Sequence, residues 1–482
     1  MKTIFALMAL GIMACGPEKD DTGESPEADA DTDSDSDTDG DTDQDTGCGD
    51  YEVPADWPEL IDDADVHFAW GGTNLALGDV DGDGHDDIAL DAALVLLGPF
   101  CPDDDPYDED QIHADLSVSS GYAYQRMAGP GDVDGDGLTD FLVGDHAAYD
   151  DAGEVFLALS PVAGDVYLPD VAVADIVGVS ERGFLGYAVA GVGDVDGDGV
   201  PDLLAGAYND DGLGAAWLIP GTTRGYHAVS DVGVAIRGSE EYPMVGHNLA
   251  ALGDTDGDGL SDFLIAMCTA LVGSSVALVR GPVSADVSFQ NADAVFLHHP
   301  DDEEYGGSFG MSISSAGDQD GDGLPDIAIG APLSGVSGDY AGAVFVFQGT
   351  ASGQISAAES RSIITGESRA DDAGFAVDLA GDVNGDGRED LVIGVPGWNA
   401  GTNPHDVGAI YVVLGSVVEG TWSLTEADVR VEGTSDDEYH DLGNKIVGAG
   451  DTNGDGLDDI LVAGWIEDGD DWLHSHLLLG RE

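Results

Sequence analysis

The chain has 482 residues, 42 % of them hydrophobic, with 72 glycines and 19 prolines. That composition suits a large core built from turns and short strands rather than long helices. Its 97 acidic residues against 13 basic ones give a formal net charge of -84 at pH 7, a field that repels phosphate backbones and excludes nucleic acid as a partner.

The chain opens with Met1, Lys2 and Thr3, then an apolar stretch from Ile4 to Ala14. This is a short basic region and a hydrophobic region too short to span a bilayer, so residues 1–14 read as a signal peptide. The ending Ile12-Met13-Ala14-Cys15 resembles a bacterial lipoprotein lipobox. The resemblance implies cleavage before Cys15, lipid on its sulfur and, with Gly16 next, a place in the outer membrane. An ordinary signal peptide with an incidental cysteine is the alternative. Residues 15–50 are nearly pure Asp, Thr, Ser, Gly and Glu, have little to bury, and are expected to form a disordered tether of roughly 30 Å end to end. The expected protein is exported, surface-exposed, and meets the membrane only through its anchor. Cys48 and Cys101 flank the first repeat and are candidates for a disulfide in an oxidising compartment. Cys268 follows the apolar run from Phe263 to Met267 and reads as a buried thiol.

Residues 51–482 repeat. The strings DVDGDGHDD, DVDGDGLTD, DVDGDGVPD, DTDGDGLSD, DQDGDGLPD, DVNGDGRED and DTNGDGLDD start at Asp79, Asp132, Asp194, Asp254, Asp318, Asp382 and Asp451, 53 to 69 residues apart. An apolar segment stands on each side of every string, and a third follows a Gly-rich loop, as at Ala343 to Phe347. A fourth is marked by Ala-Asp before an apolar run, at Ala114, Ala174, Ala292 and Ala427, with Ser230-Asp231 as a variant; the fifth unit offers only Arg361-Ser362-Ile363-Ile364. Units of four short strands at this period are propeller blades, so the expected fold is all-β, a seven-bladed β-propeller of four-stranded antiparallel blades. Ala64-Asp65-Val66-His67-Phe68 precedes the first unit, whereas the last stops at Leu477 to Gly480 without a fourth strand. Both irregularities are resolved if the N-terminal segment is the outer strand of the seventh blade, closing the ring and its exposed edges.

The Asp-rich strings have the chemistry of a hard-cation loop, which needs six to eight oxygens. In the first, carboxylates come from Asp79, Asp81, Asp83 and Asp87, and a carbonyl from His85. The second offers Asp132, Asp134, Asp136 and Asp140 with the carbonyl of Leu138; the third Asp194, Asp196, Asp198 and Asp202 with Val200. Asp254, Asp256, Asp258, Asp262 and Leu260 form the fourth, and Asp318, Asp320, Asp322, Asp326 and Leu324 the fifth. In the sixth and seventh, Asn384 and Asn453 join Asp382, Asp386, Asp390 and Arg388, and Asp451, Asp455, Asp459 and Leu457. About seven Ca²⁺ sites are expected, structural in role. An EF-hand is excluded, because its twelfth-position Glu is replaced by residues such as Leu90, Val143 and Ala205. A metal-free Asp-Gly turn is the remaining alternative.

The units resemble FG-GAP repeats of integrin α-subunit propellers. Phe309-Gly310 and Gly330-Ala331-Pro332 flank the fifth loop; Phe184 and Gly206-Ala207-Tyr208 take those parts in the third, and Gly374-Phe375 and Gly394-Val395-Pro396 in the sixth. Units one, four and seven depart from the pattern at Asp91-Ala92-Ala93, Met267-Cys268-Thr269 and Gly464-Trp465-Ile466. The resemblance implies calcium hairpins on one face of the disk and a ligand on the other. The loops expected there are acidic and aromatic: Tyr208 to Asp211, Glu240-Glu241-Tyr242, Asp301 to Tyr305, Trp398-Asn399 and Glu438-Tyr439-His440. Carboxylates beside aromatic rings suit a protein or carbohydrate ligand, although plain solvated loops have the same composition.

No HExxH, G-x-S-x-G or P-loop pattern occurs, and His298-His299 and His474-x-His476 lack a third ligand at useful spacing. The expectation is a calcium-binding surface lipoprotein acting as an adhesion or binding module and not as an enzyme. A polysaccharide-acting, lyase-like enzyme and a structural envelope component are the alternatives.

Overall fold

The computed structural model describes residues 64, 66–68, 75–90, 94–100, 116–119, 125–162, 164–267, 274–301, 305–314, 317–319, 321–337, 340–399, 407–415, 417–433, 440–466 and 472–481. Cys15, Cys48, Cys101, Cys268, Asp320, the signal peptide and the tether lie outside them.

The strands form seven sheets in a closed ring. In blade 5, Ser312–Ile313, Asp326–Ala331, Ala343–Gln348 and Ser362–Thr365 run antiparallel from the central axis outward. The run Ala-Val-Phe-Val-Phe is buried throughout, without the alternation of a half-solvated strand. The reason is that each sheet is covered on both faces by its neighbours. One apolar cluster joins blades 4 and 5, through Leu264, Phe296, Ile329 and Phe345. Equivalent clusters fill the other junctions, including that of blades 7 and 1, where Phe68, Ile88, Phe100 and Leu477 meet.

Closure occurs as expected. Val66–Phe68 pairs antiparallel with the last strand, Val66 opposite Leu477 and Phe68 opposite Ser475. Phe68 is buried and meets Phe100 edge-on, with ring centroids 5.8 Å apart. The seven innermost strands touch one another around the ring, blade 7 against blade 1 included.

The blades are not uniformly four-stranded. In blades 1 to 5 the outer strand also pairs in parallel with a segment from the next blade's third-to-fourth connection: Gly164–Tyr167, Gly225–Ala228, Val287–Ser288, Gly353–Ser356 and Gly420–Ser423. This strap covers an edge that would otherwise be free to pair with another chain.

The glycine motifs are close-approach sites. The N–H groups of Gly186, Gly310 and Gly374 donate to Gly206, Gly330 and Gly394 at 2.9, 2.9 and 3.1 Å. A β-carbon on Gly330 would lie 2.1 Å from the carbonyl oxygen of Gly374 in the next blade. This geometry corrects the motif register. The counterparts of Phe309-Gly310 are Leu185-Gly186 and Ala373-Gly374, because Gly186, Gly310 and Gly374 share a φ of +83° to +84° that favours glycine. Phe184 stands two residues before its glycine and Phe375 one after, and both are half-buried.

Candidate metal centre and ligand face

Each Asp-rich string is the hairpin between a blade's first and second strands. In loop 1 the first aspartate anchors the turn: Asp79 accepts N–H bonds from Gly82 at 2.6 Å and Gly84 at 3.1 Å. Asp81 accepts from Asp83, and Asp83 from His85, at 3.0 and 2.8 Å. Gly82 and Gly84 have φ of +88° and +94°, so the turn requires residues without a β-carbon penalty. One oxygen from each of Asp79, Asp81 and Asp87 lies within 4.8 Å of the others. The same holds for Asp132, Asp134 and Asp136, for Asp194, Asp196 and Asp202, and for Asp254, Asp256 and Asp258.

The ninth-position aspartate has a second task. Asp87 accepts the N–H groups of Val80 and Gly98, both at 2.8 Å, which brackets the hairpin against the end of the third strand. Asp140, Asp202, Asp262, Asp390 and Asp459 are bonded in the same way, to Ser160, Gly221, Gly281, Gly415 and Gly480. All six are buried. Burial pushes Asp87 and Asp390 up to about 7, Asp202 to about 6 and Asp459 to about 8, against the pull of the N–H donors. At the first position the balance reverses. Burial raises Asp132, but the N–H groups of Gly137, Gly135 and Asp136 together outweigh it and hold the carboxylate below its ordinary range.

These residues fit a hard divalent cation: the donors are oxygens, they converge, and several are carboxylates that burial alone would protonate. Calcium bound there would supply counter-charge to carboxylates that, apart from contacts such as Arg280 to Asp256 and Asp262 and Arg361 to Asp326, meet one another, hydroxyls and backbone amides.

The loops also contact one another around the ring. The eighth residue's N–H donates to the first aspartate's carbonyl in the preceding blade: Thr139 to Asp79 and Ser261 to Asp194 at 2.8 Å, Asp458 to Asp382 and Asp86 to Asp451 at 3.2 Å. The seventh side chain lies over the preceding loop's first glycine, as with Leu138 over Gly82, Leu260 over Gly197, Leu457 over Gly385 and His85 over Gly454. At the sixth loop Arg388 does the same over Gly321. The third and fifth loops have Pro201 and Pro325 at the eighth position, which carry no N–H to give. Loop 4 differs again, because Arg280 Nε lies 3.8 Å from Asp256 and 3.9 Å from Asp262.

On the opposite face, Tyr208, Tyr242 and Trp398 are buried rather than free to stack on a ligand. Tyr208 stacks on Phe184 at 5.0 Å, Tyr242 packs on Phe289 at 5.4 Å, and Trp398 lies under Arg430 at 5.0 Å. Glu240 and Glu241 are exposed. Residues 302–304 and 434–439 lie outside the described residues. Two exposed tyrosines were missed from sequence: Tyr149 at 53 % and Tyr340 at 52 % exposure, both in second-to-third-strand loops. Their φ angles are +53° and +54°, and Asp150 and Asp151 continue the left-handed run at +57° and +64°. Non-glycine residues held there cost about 1 to 3 kcal/mol each and cluster at ligand-gripping loops. Nothing in the local sequence marks that conformation.

The FG-GAP repeat family model matches residues 309–347 and 373–413. The chain is similar to integrin alpha-PS2 of Drosophila melanogaster, 29 % identical over 232 residues, covering 45 % of this chain and 15 % of that protein. It is also similar to integrin alpha-5 of Xenopus laevis, 28 % identical over 284 residues, covering 53 % and 25 %. A phosphatidylinositol-glycan-specific phospholipase D of Rattus norvegicus is 36 % identical over 133 residues, covering 27 % and 15 %. The chain therefore spans a quarter or less of the length of these relatives.

Proposed function

From a chain that carries FG-GAP repeats in a closed seven-bladed propeller, we propose a calcium-stiffened adhesion module that binds its ligand on the face opposite the Asp-rich loops. The difference between the two faces carries this reading. One edge of the blades repeats a single acidic hairpin seven times, whereas the other presents unlike loops with Tyr149 and Tyr340 exposed in strained conformations. Similarity to integrin α-subunits, each matched over part of its length, supports a ligand-binding module. In this reading Cys15 is lipidated, residues 15–50 are the tether, and the propeller faces outward from the outer membrane. Calcium occupies the Asp-rich loops, most weakly loop 4, where Arg280 already supplies positive charge.

A glycan array probed with the purified protein in calcium tests the reading. Binding that Tyr149→Ala or Tyr340→Ala weakens at least fivefold, with an unchanged melt, supports it. Release of cleaved product, or binding indifferent to both substitutions, would overturn it.

A further inference from the structure

The chain has three lysines, and two of them, Lys2 and Lys19, precede the propeller. The third, Lys445, lies on the innermost strand of blade 7, His440–Gly450, and is exposed. Arg182, Arg237, Arg280, Arg361 and Arg430 all have a carboxylate within 4.0 Å. Lys445 has none among the described residues; the crowding of protein around the channel first, and then the charge of Arg126, hold it below the ordinary lysine range although its side chain reaches solvent.

Arg126 occupies the same tier of the ring. Counted back from the first aspartate of each loop, Arg126 and Lys445 are both the sixth residue, and they stand opposite Gly144 and Ala463 in matching registers. Asn248 and Ser312 hold this position in blades 4 and 5, opposite Ala266 and Gly330. Aromatic groups border the tier: the Arg126 guanidinium lies 6.0 Å from the Tyr187 ring centre, and the Tyr187 hydroxyl is 3.4 Å from His247 Nε2. Tyr187 and Phe375 are half-buried rather than sealed. The carboxylate of Asp378, on the innermost strand of blade 6, accepts the N–H of Gly448 at 2.9 Å.

Lys445, open to solvent and repelled by Arg126, has no carboxylate beside it among the described residues, so an anion placed between the two cations would relieve their repulsion. We infer that the central channel holds a binding site for an acidic sugar, its carboxylate placed between Lys445 and Arg126, its ring against Tyr187, and a hydroxyl donating to Ser312 Oγ, whose own proton goes to the Gly374 carbonyl. A sugar acid fits better than an aliphatic carboxylate, because the half-buried Tyr187 ring and the Ser312 hydroxyl share the tier with the cations. The site deepens the ligand-face reading proposed above and rests on it. It concerns a different part of that face from Tyr149 and Tyr340.

The test is calorimetric titration of the full chain with sodium trigalacturonate and with its uncharged methyl ester. The inference expects the acid to bind at least tenfold more tightly than the ester, and Lys445→Met to abolish the difference without lowering the melting temperature. Arg126→Gln should weaken acid binding in the same direction. A preference for the acid that survives Lys445→Met would place the carboxylate on a loop-bound cation and overturn the inference. So would failure of the acid to bind, or tighter binding of a glutamate-rich peptide than of the sugar. Ester binding that is lost in Tyr149→Ala but untouched by Lys445→Met would overturn the channel site alone and leave the ligand-face reading standing.

Discussion

The two edges of the propeller are made by the same strands and obey different rules. On the Asp-rich edge each loop must turn through the same left-handed glycines, bracket a third strand and meet the preceding loop, so its sequence hardly varies. On the opposite edge the second-to-third-strand loops differ in length and conformation, from the left-handed run at Tyr149 to the buried Trp398. The contrast shows where the fold is specified and where it is free to acquire a ligand. Regularity marks the brace, and irregularity marks the surface that can be specific.

The comparison breaks most severely if the ring is opened. Deleting residues 61–70 removes the strand Val66–Phe68 and the buried Phe68 ring, which should destabilise the protein by on the order of 5 kcal/mol. Urea or thermal melts check this, and an unchanged melt would show that closure does not depend on that strand. A smaller effect separates glycines needed for close approach from those needed for turns. Gly330→Ala places a β-carbon 2.1 Å from a neighbouring blade's carbonyl and should cost about 3 kcal/mol. Gly323→Ala, in open space at φ +88°, should cost about 1 kcal/mol. Equal costs would refute the packing argument.

The smallest effect concerns the channel histidine. Burial first, and then the charges of Arg126 and Lys445, push His247 down to about 4 despite its bond to Asn248. Between that value and about 6.5 the unfolded chain binds the extra proton. The stability from neutral His247 is therefore complete above about pH 6.5 and is lost as pH falls towards 4. Because His247 is partly open to solvent, His247→Asn should flatten the loss between pH 7 and 5 by only about 1 kcal/mol. Urea melts of both proteins at the two pH values measure the difference, and parallel losses would contradict the assignment.

Much of the fold was legible because hairpins of this kind restrict residue type at most positions. The Asp-x-Asp-Gly-Asp-Gly strings counted the blades, and the orphan strand at Val66 explained the missing one after Leu478. The parallel straps were not read, since they pair through backbone and their side chains face solvent or are half-buried, as in Gly353–Ser356. A faint signal existed: Gly164, Gly225, Gly353 and Gly420 open four of the straps with positive φ. The ligand loops were misjudged for a related reason. An aromatic beside carboxylates looks the same in sequence whether it plugs the blade, as Tyr242 does, or stands in solvent, as Tyr340 does. The channel tier was invisible because Arg126, Tyr187, His247 and Lys445 meet only when four blades are brought around one axis.

The central claim is that convergent carboxylates on one edge brace the ring by holding calcium. Calorimetric titration of chelator-treated protein with Ca²⁺, followed by melts with and without the ion, tests it most directly. The account predicts several binding sites and a melting temperature that rises with calcium and falls with chelator. A flat titration together with a melt indifferent to chelation would contradict it.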